Sequence, residues 1–254
     1  MAQYFTRQID KYLAEWKDDR YRKPLLVRGA RQIGKSSAVR NFGKSFKYFV
    51  EINLEREQDL KELFGKNIDV KKICSQLSVL KQTPIVPSET LLSIDEIQES
   101  ERAIASLRYF YEDYPELHVV AAGSLLEFAL RELSSFGVGR VISIYMYPFS
   151  FDEFLCATGQ EKLVEYKKND ASCINPLPQT FHNTLVDNLR AYYLVGGMPE
   201  AVKYWQETHD LLHISQIYNN IINTYQDDFS KYKSRISPLL LRNTLQSVAK
   251  QAGG

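Results

Sequence analysis

Cysteine is scarce in this chain, with three among 254 residues, at positions 74, 156 and 173. Their spacing fits no metal motif and is too sparse for a disulfide framework, so each reads as a small buried hydrophobe. An excess of one charge is also lacking: 32 Lys and Arg face 31 Asp and Glu, for a net charge of +1. That balance removes the global electrostatic argument for a nucleic-acid partner. Short basic runs at 20–23 and 231–235 are all that supports DNA, and such runs read more simply as solvated faces. No apolar run approaches the ~20 residues of a membrane-spanning helix. The first residues, Met1-Ala2-Gln3-Tyr4-Phe5-Thr6-Arg7, contain no apolar signal core. These absences point to a reducing cytoplasm and away from a membrane. His209 and His213 have i, i+4 spacing, but no acid completes a metal site with them. Internal repeats and low-complexity segments are absent as well.

What is present is concentrated in one short string, Gly29-Ala30-Arg31-Gln32-Ile33-Gly34-Lys35-Ser36. It fits the phosphate-binding pattern G-x-x-x-x-G-K-[ST] with no mismatch. Glycines let successive N–H groups turn inward into an anion-binding concavity. A helix beginning at the loop adds its positive dipole end to the same place. The flanks supply the required context. Pro24-Leu25-Leu26-Val27-Arg28 suits a buried parallel strand, and Ser36-Ser37-Ala38-Val39-Arg40-Asn41-Phe42 a helix stopped by Gly43. Gly29, Ala30, Arg31, Gln32, Ile33, Gly34, Lys35, Ser36 and Ser37 are therefore the expected phosphate contacts. Lys35 reaches the β- and γ-phosphates in this reading, and the Ser36 hydroxyl ligates Mg²⁺.

A second string, Leu91-Leu92-Ser93-Ile94-Asp95-Glu96, is an apolar strand ending in two acids. Acids at the carboxyl end of a parallel strand face the ligand crevice of an α/β sheet. Asp95 is expected to hold Mg²⁺, and Glu96 to act as general base toward a water. Residues 46–54 read as a further strand, rich in aromatic and β-branched side chains. Residues 57–64 and 70–80 have helical spacing. His118-Val119-Val120-Ala121-Ala122 is another strand, followed by Gly123-Ser124. Ser124 is either the N-cap of a helix starting near Leu125 or a polar group beside the γ-phosphate, and a serine can be both. Residues 140–145 complete a set of five strands, ended by Pro148.

Before the first strand, residues 6–16 read as an amphipathic helix with Ile9, Tyr12, Leu13 and Trp16 on one stripe. Beyond Pro148 an aromatic-rich connection leads into helices at 180–194, 201–208 and 209–229. Residues 169–179 form the clearest loop, and Gly196-Gly197-Met198-Pro199 a tight turn between helices.

These stretches together resemble prokaryotic AAA+-type ATPases in which an AAA core precedes a C-terminal domain of unknown function. The resemblance rests on residues 27–36, on Ile94-Asp95-Glu96-Ile97-Gln98, on Gly139-Arg140 with residues 147–154, and on residues 193–200. It implies an α/β fold of the P-loop NTPase (AAA+-like) class, with a five-stranded, mainly parallel sheet flanked by helices and a mostly helical lid after it. The core is expected at 1–155, and the lid with the start of a further region at 156–254. Family members run longer, so the resemblance implies a chain shortened before its C-terminal domain. It also implies ATP and Mg²⁺ as cofactors, a helix packed beside the adenine, and a homo-oligomer in which an arginine completes the site. Ser124 falls at the polar position beside the γ-phosphate. Arg140 is the arginine candidate, in cis or in trans, and Arg31 the second. Its alternative role is an ion pair with a surface acid.

Two functional readings follow, an ATPase that drives or gates a conformational change and an ATP-bound switch with little turnover. A small-molecule kinase fits less well, given the paired acids and the long helical C-terminal region. A GTPase would need an Asn-Lys-x-Asp loop, which Lys167-Lys168-Asn169-Asp170 does not supply.

Overall fold

The computed structural model describes residues 4–65, 67–124, 126, 139–169, 175–229 and 237–251. Cys173, the basic run at 231–235 and the start of the helix expected near Leu125 lie outside them. The chain divides into two compact units, Met1–Lys168 and Asn169–Gly254.

The first unit is built on a parallel sheet. Its strands are β1 (Leu25–Arg28), β2 (Tyr48–Asn53), β3 (Thr90–Asp95), β4 (His118–Ala122) and β5 (Ile142–Tyr145). Their order is β2-β3-β4-β1-β5, and every adjacent pair is parallel. Burial follows position in that order. The residues of β3 and β4 are buried throughout, whereas those of β2 and β5 alternate or stay partly exposed. This is the pattern of a parallel sheet covered on both faces at its centre. β2, which lies between β1 and β3 in sequence, sits at the edge in space. β4 occupies the place between the phosphate-loop strand and the acid-bearing strand.

Helices cover the faces: α1 (Gln8–Asp18), α2 (Lys35–Gly43), α3 (Val70–Leu80) and α4 (Glu101–Asp113). The apolar spacing of α3 and α4 aims Ile73, Leu77, Ile104, Leu107 and Phe110 at Val50, Ile52, Leu92 and Ile94 of the sheet. Asp69 and Ser100 cap these two helices with side-chain hydrogen bonds to the first turn. The segment expected to be helical at 57–64 is a 3₁₀ helix, Gln58–Phe64. On α1, Leu13 and Trp16 are buried as the stripe requires, but Tyr12 is turned outward. Trp16 donates its ring N–H to the Lys23 carbonyl at 2.8 Å, tying the end of α1 to the approach of β1.

Two more helices, α5 (Phe151–Ala157) and α6 (Glu161–Asn169), carry this unit past residue 155. Ser150 and Glu153 form a capping box at the start of α5. The second unit is helical in its described residues: α7 (Gln179–Val195), α8 (Pro199–Thr208), α9 (Leu211–Phe229) and α10 (Pro238–Gln251). The turn at 196–199 places Pro199 in the first turn of α8. The Tyr218 hydroxyl donates to the Val195 carbonyl at 2.8 Å, joining α9 to the end of α7. His209 and His213 pack on Trp205 and Tyr204. No described helix is long and apolar enough to cross a membrane.

Candidate functional site

The loop between β1 and α2 is shaped by its backbone. Gly29 has φ +140, Gln32 φ +64 and Gly34 φ +92. A side chain at Gly29 would also collide with the chain beyond β5, because a Cβ there would fall 2.2 Å from the Met146 carbonyl oxygen. The sequence therefore needs glycine at this point both for the turn and for the neighbouring strand. Gly34 is the N-cap of α2, and no side chain caps that helix. The free N–H groups of its first turn consequently face the concavity.

Lys35 is buried, and its Nζ donates to the carbonyls of Gly29 at 2.9 Å and Ala30 at 2.7 Å. Burial pulls its pKa down to about 8, against the opposing pull of Glu96 and Asp95. The neighbouring Arg31 lowers it further. The ammonium is thus held inside the loop without an ion pair of its own among the described residues. A phosphate would supply the missing negative charge.

The two acids arrive from β3. Asp95 is 5 % exposed and accepts from three groups: the Ser36 hydroxyl at 2.9 Å, the Asn53 amide at 3.2 Å and the Glu96 N–H at 3.1 Å. A hydroxyl and a carboxylate, held on the same face beside a phosphate-binding loop, are oxygen donors of the kind a hydrated magnesium ion uses. The donor set fits that ion. Glu96 follows in a left-handed conformation, φ +49, at a sharp turn after the strand. Its negative charge, like that of Asp95, favours the charged form of Lys35.

The other candidates separate. Ser124 follows β4, between the two site strands, and its buried Oγ has no hydrogen-bond partner among the described residues. Arg31 lies on the loop, 4.0 Å from Glu55. Gln32, Ile33 and Ser37 belong to the loop and the first turn of α2 as expected, with Ile33 buried against Gly29. Arg140 is elsewhere. It precedes Ile142, which pairs with Leu25 at the amino end of β1, and it forms an ion pair with Glu112 at the end of α4. The loop begins at the carboxyl end, on the order of 15 Å away along the strands. Arg140 therefore does not reach the phosphate loop of its own chain, which corrects the cis role expected of it. The alternative reading, an ion pair with a surface acid, describes where it sits.

Three further residues shape this region. Asn53 ends β2 directly beside Asp95 in register, a pairing set by long-range strand order. Arg7 and Glu153 form a buried ion pair at 2.9 Å. Arg7 also donates to the carbonyls of Ile33 at 3.0 Å and Tyr147 at 2.7 Å, with its guanidinium over the Phe149 ring. It thereby fastens the phosphate loop to the chain before α1 and to the chain after β5. Beside it lies a cavity of about 340 Å³, lined in part by Tyr12, Tyr145, Tyr147 and Ser150. Nothing in the sequence sets this arginine apart, and only the fold shows its partners.

A glycine loop between a central strand and a helix whose first-turn hydroxyl meets an acid at the end of the strand two places away defines the P-loop nucleoside-triphosphatase fold. The model of the AAA domain family matches residues 21–155, and the chain belongs to that family. A domain of unknown function (DUF8612) matches residues 186–254. No curated protein matches the chain. Among solved structures, the Walker-type ATPase paby2304 of Pyrococcus abyssi is similar in fold, at TM-score 0.51 and 18 % identity, over 98 % of this chain and 76 % of that one. PCH-2 of C. elegans aligns at TM-score 0.42 and 12 % identity, over 86 % of this chain and 67 % of that one.

Proposed function

We propose that this chain binds ATP with Mg²⁺ and hydrolyses it, so as to drive or gate a conformational change. The observation that best supports this reading is the 2.9 Å hydrogen bond between Ser36 and Asp95, which brings together the two oxygen ligands a nucleotide-bound magnesium needs. Magnesium, when bound, offsets charge on the β- and γ-phosphates. The chain's own residues do the rest. Lys35 exchanges its two carbonyl partners for phosphate oxygens. The N–H groups of the loop and the first turn of α2 surround the same oxygens. Glu96 orients a water and takes its proton, and the Ser124 hydroxyl fixes the water from the β4 side. Arg31 adds positive charge at the mouth of the loop. The cavity beside Arg7 is the place for the nucleobase, with Tyr12 of α1 on its wall.

The test is ATP and GTP binding and turnover by the purified chain with Mg²⁺, at several protein concentrations, alongside Glu96→Gln. ATP should bind, and turnover should be lost in the variant while binding is kept. Full turnover by Glu96→Gln removes Glu96 as the base. Tight binding without turnover in the unaltered chain supports a switch instead. Turnover per molecule that rises with concentration supports completion of the site by a second copy.

A further inference from the structure

Glu96 is held by another side chain. The Gln98 amide Nε2 donates to Glu96 Oε2 at 2.5 Å. The left-handed turn at Glu96 folds the chain back after β3, so that residue 98 returns toward residue 96. A carboxylate accepts only, so the nitrogen side of the Gln98 amide is the side that faces it. The other side, Oε1, is buried with no hydrogen-bond partner among the described residues. It lies against Gly123, where a Cβ would come 2.3 Å from that oxygen and 2.9 Å from Leu126 Cγ. Gly123 is fixed in turn by its N–H, which donates to the Val27 carbonyl of β1 at 3.3 Å. It immediately precedes Ser124, whose Oγ is also buried without a partner among the described residues. One amide is thus wedged between the carboxylate after β3 and the backbone after β4.

We propose that Gln98 is a positioning residue for hydrolysis: it sets the Glu96 carboxylate relative to the Gly123-Ser124 segment, and position 123 is glycine so that the amide fits. The inference rests on the reading of Glu96 as the base. A glutamate side chain has three free torsions, and a charge-assisted hydrogen bond at its tip removes most of that freedom. A base displaced by about 1 Å can lose on the order of a hundredfold in rate. The unpartnered Oε1 is tolerated because the amide's other end is anchored to a charge.

The experiment measures ATP affinity and kcat for Gln98→Met, Gly123→Ala and the double variant. Methionine keeps the length of glutamine and removes the donor. Each single variant should lose about ten- to a hundredfold in kcat, with affinity within about threefold of the unaltered chain. The double variant should be no worse than the poorer single one, because both changes break the same contact with Glu96 and the contact can be lost only once. Retained affinity shows that the chain is folded, and Gly123→Ala provides a second route to the same displacement. An unchanged or increased kcat in Gln98→Met overturns the proposal. So do equal losses of affinity and kcat, or losses that multiply in the double variant. If Glu96→Gln is inactive while Gln98→Met turns over normally, only this inference fails. If Glu96→Gln turns over normally, or the unaltered chain does not turn over at all, the reading of Glu96 as base fails and takes this one with it.

Discussion

The two ends of the central sheet treat polar groups in opposite ways. At the carboxyl ends, Lys35, Asp95 and Ser36 converge on one concavity, and Lys35 is held by backbone carbonyls with no anion among the described residues bonded to it. At the amino ends, polar groups are engaged by neighbouring side chains and backbone. His118 lies between Trp16 and Phe46, and its Nε2 meets the Lys17 carbonyl at 3.1 Å. Arg140 is paired with Glu112. One end keeps buried charge available to a ligand; the other uses its polar groups for packing. Parallel strands alone do not create the difference, since both ends belong to the same β1, β3 and β4. The loops decide it, through glycine at the crossover and acids at the strand exits.

The strongest way to break this contrast is Lys35→Ala. It should weaken ATP binding about a hundredfold or more, because charge-assisted bonds to two phosphates are removed together. Near-normal affinity by calorimetry would sink the phosphate-loop reading. A milder form uses pH. The folded pKa of Lys35 is lowered to about 8, so the free chain loses the ammonium as pH rises past that value. ATP affinity should therefore decline above pH 8, with net proton uptake on binding, and Lys35→Arg should flatten the decline.

At the amino end the pH effect falls on stability instead. Burial pulls the His118 pKa from 6.5 down to about 4, so the unfolded chain takes up a proton before the folded one does. The stabilisation is complete above about 6.5 and is lost as pH falls toward 4. Thermal unfolding across that window should show it, and His118→Phe should remove that part of the slope. The smallest effect is expected of Arg140→Ala. An exposed pair contributes little, so ATP affinity should be unchanged and the melting temperature nearly so. A clear loss of affinity in that variant would reverse the assignment of the two ends.

Local strings carried most of what could be read before the fold was known. The run at His118–Ala122 and the helix at Val70–Leu80 fall where apolar spacing put them, because burial on both faces or on one face leaves a clear period. The loop and the two acids were legible for the same reason: each is one contiguous segment. Asn53 and Arg7 were not, because each acquires its meaning from a residue distant in sequence; Gln98 stands in one of the stretches that carry the resemblance, but its contact with Glu96 depends on a turn that no spacing announces. For Arg140 the sequence leaves a phosphate contact and a surface ion pair both open, because an arginine beside a strand reads the same at either end. Only the parallel pairing of Leu25 with Ile142 fixes which end it occupies. Tyr12 shows the limit of a helical stripe, whose outermost member turned to the surface and the wall of a cavity.

The strand order also bears on how the molecule comes into being. β1 precedes both of its sheet partners along the chain, since β4 and β5 begin at residues 118 and 142. A nascent chain emerging from the ribosome therefore displays the phosphate loop on a strand with no neighbours, while β2 and β3 can already pair. The concavity closes only after the chain has doubled back to insert β4. If the loop holds a nucleotide as proposed, the bound nucleotide would by mass action hold the insertion of β4 in place.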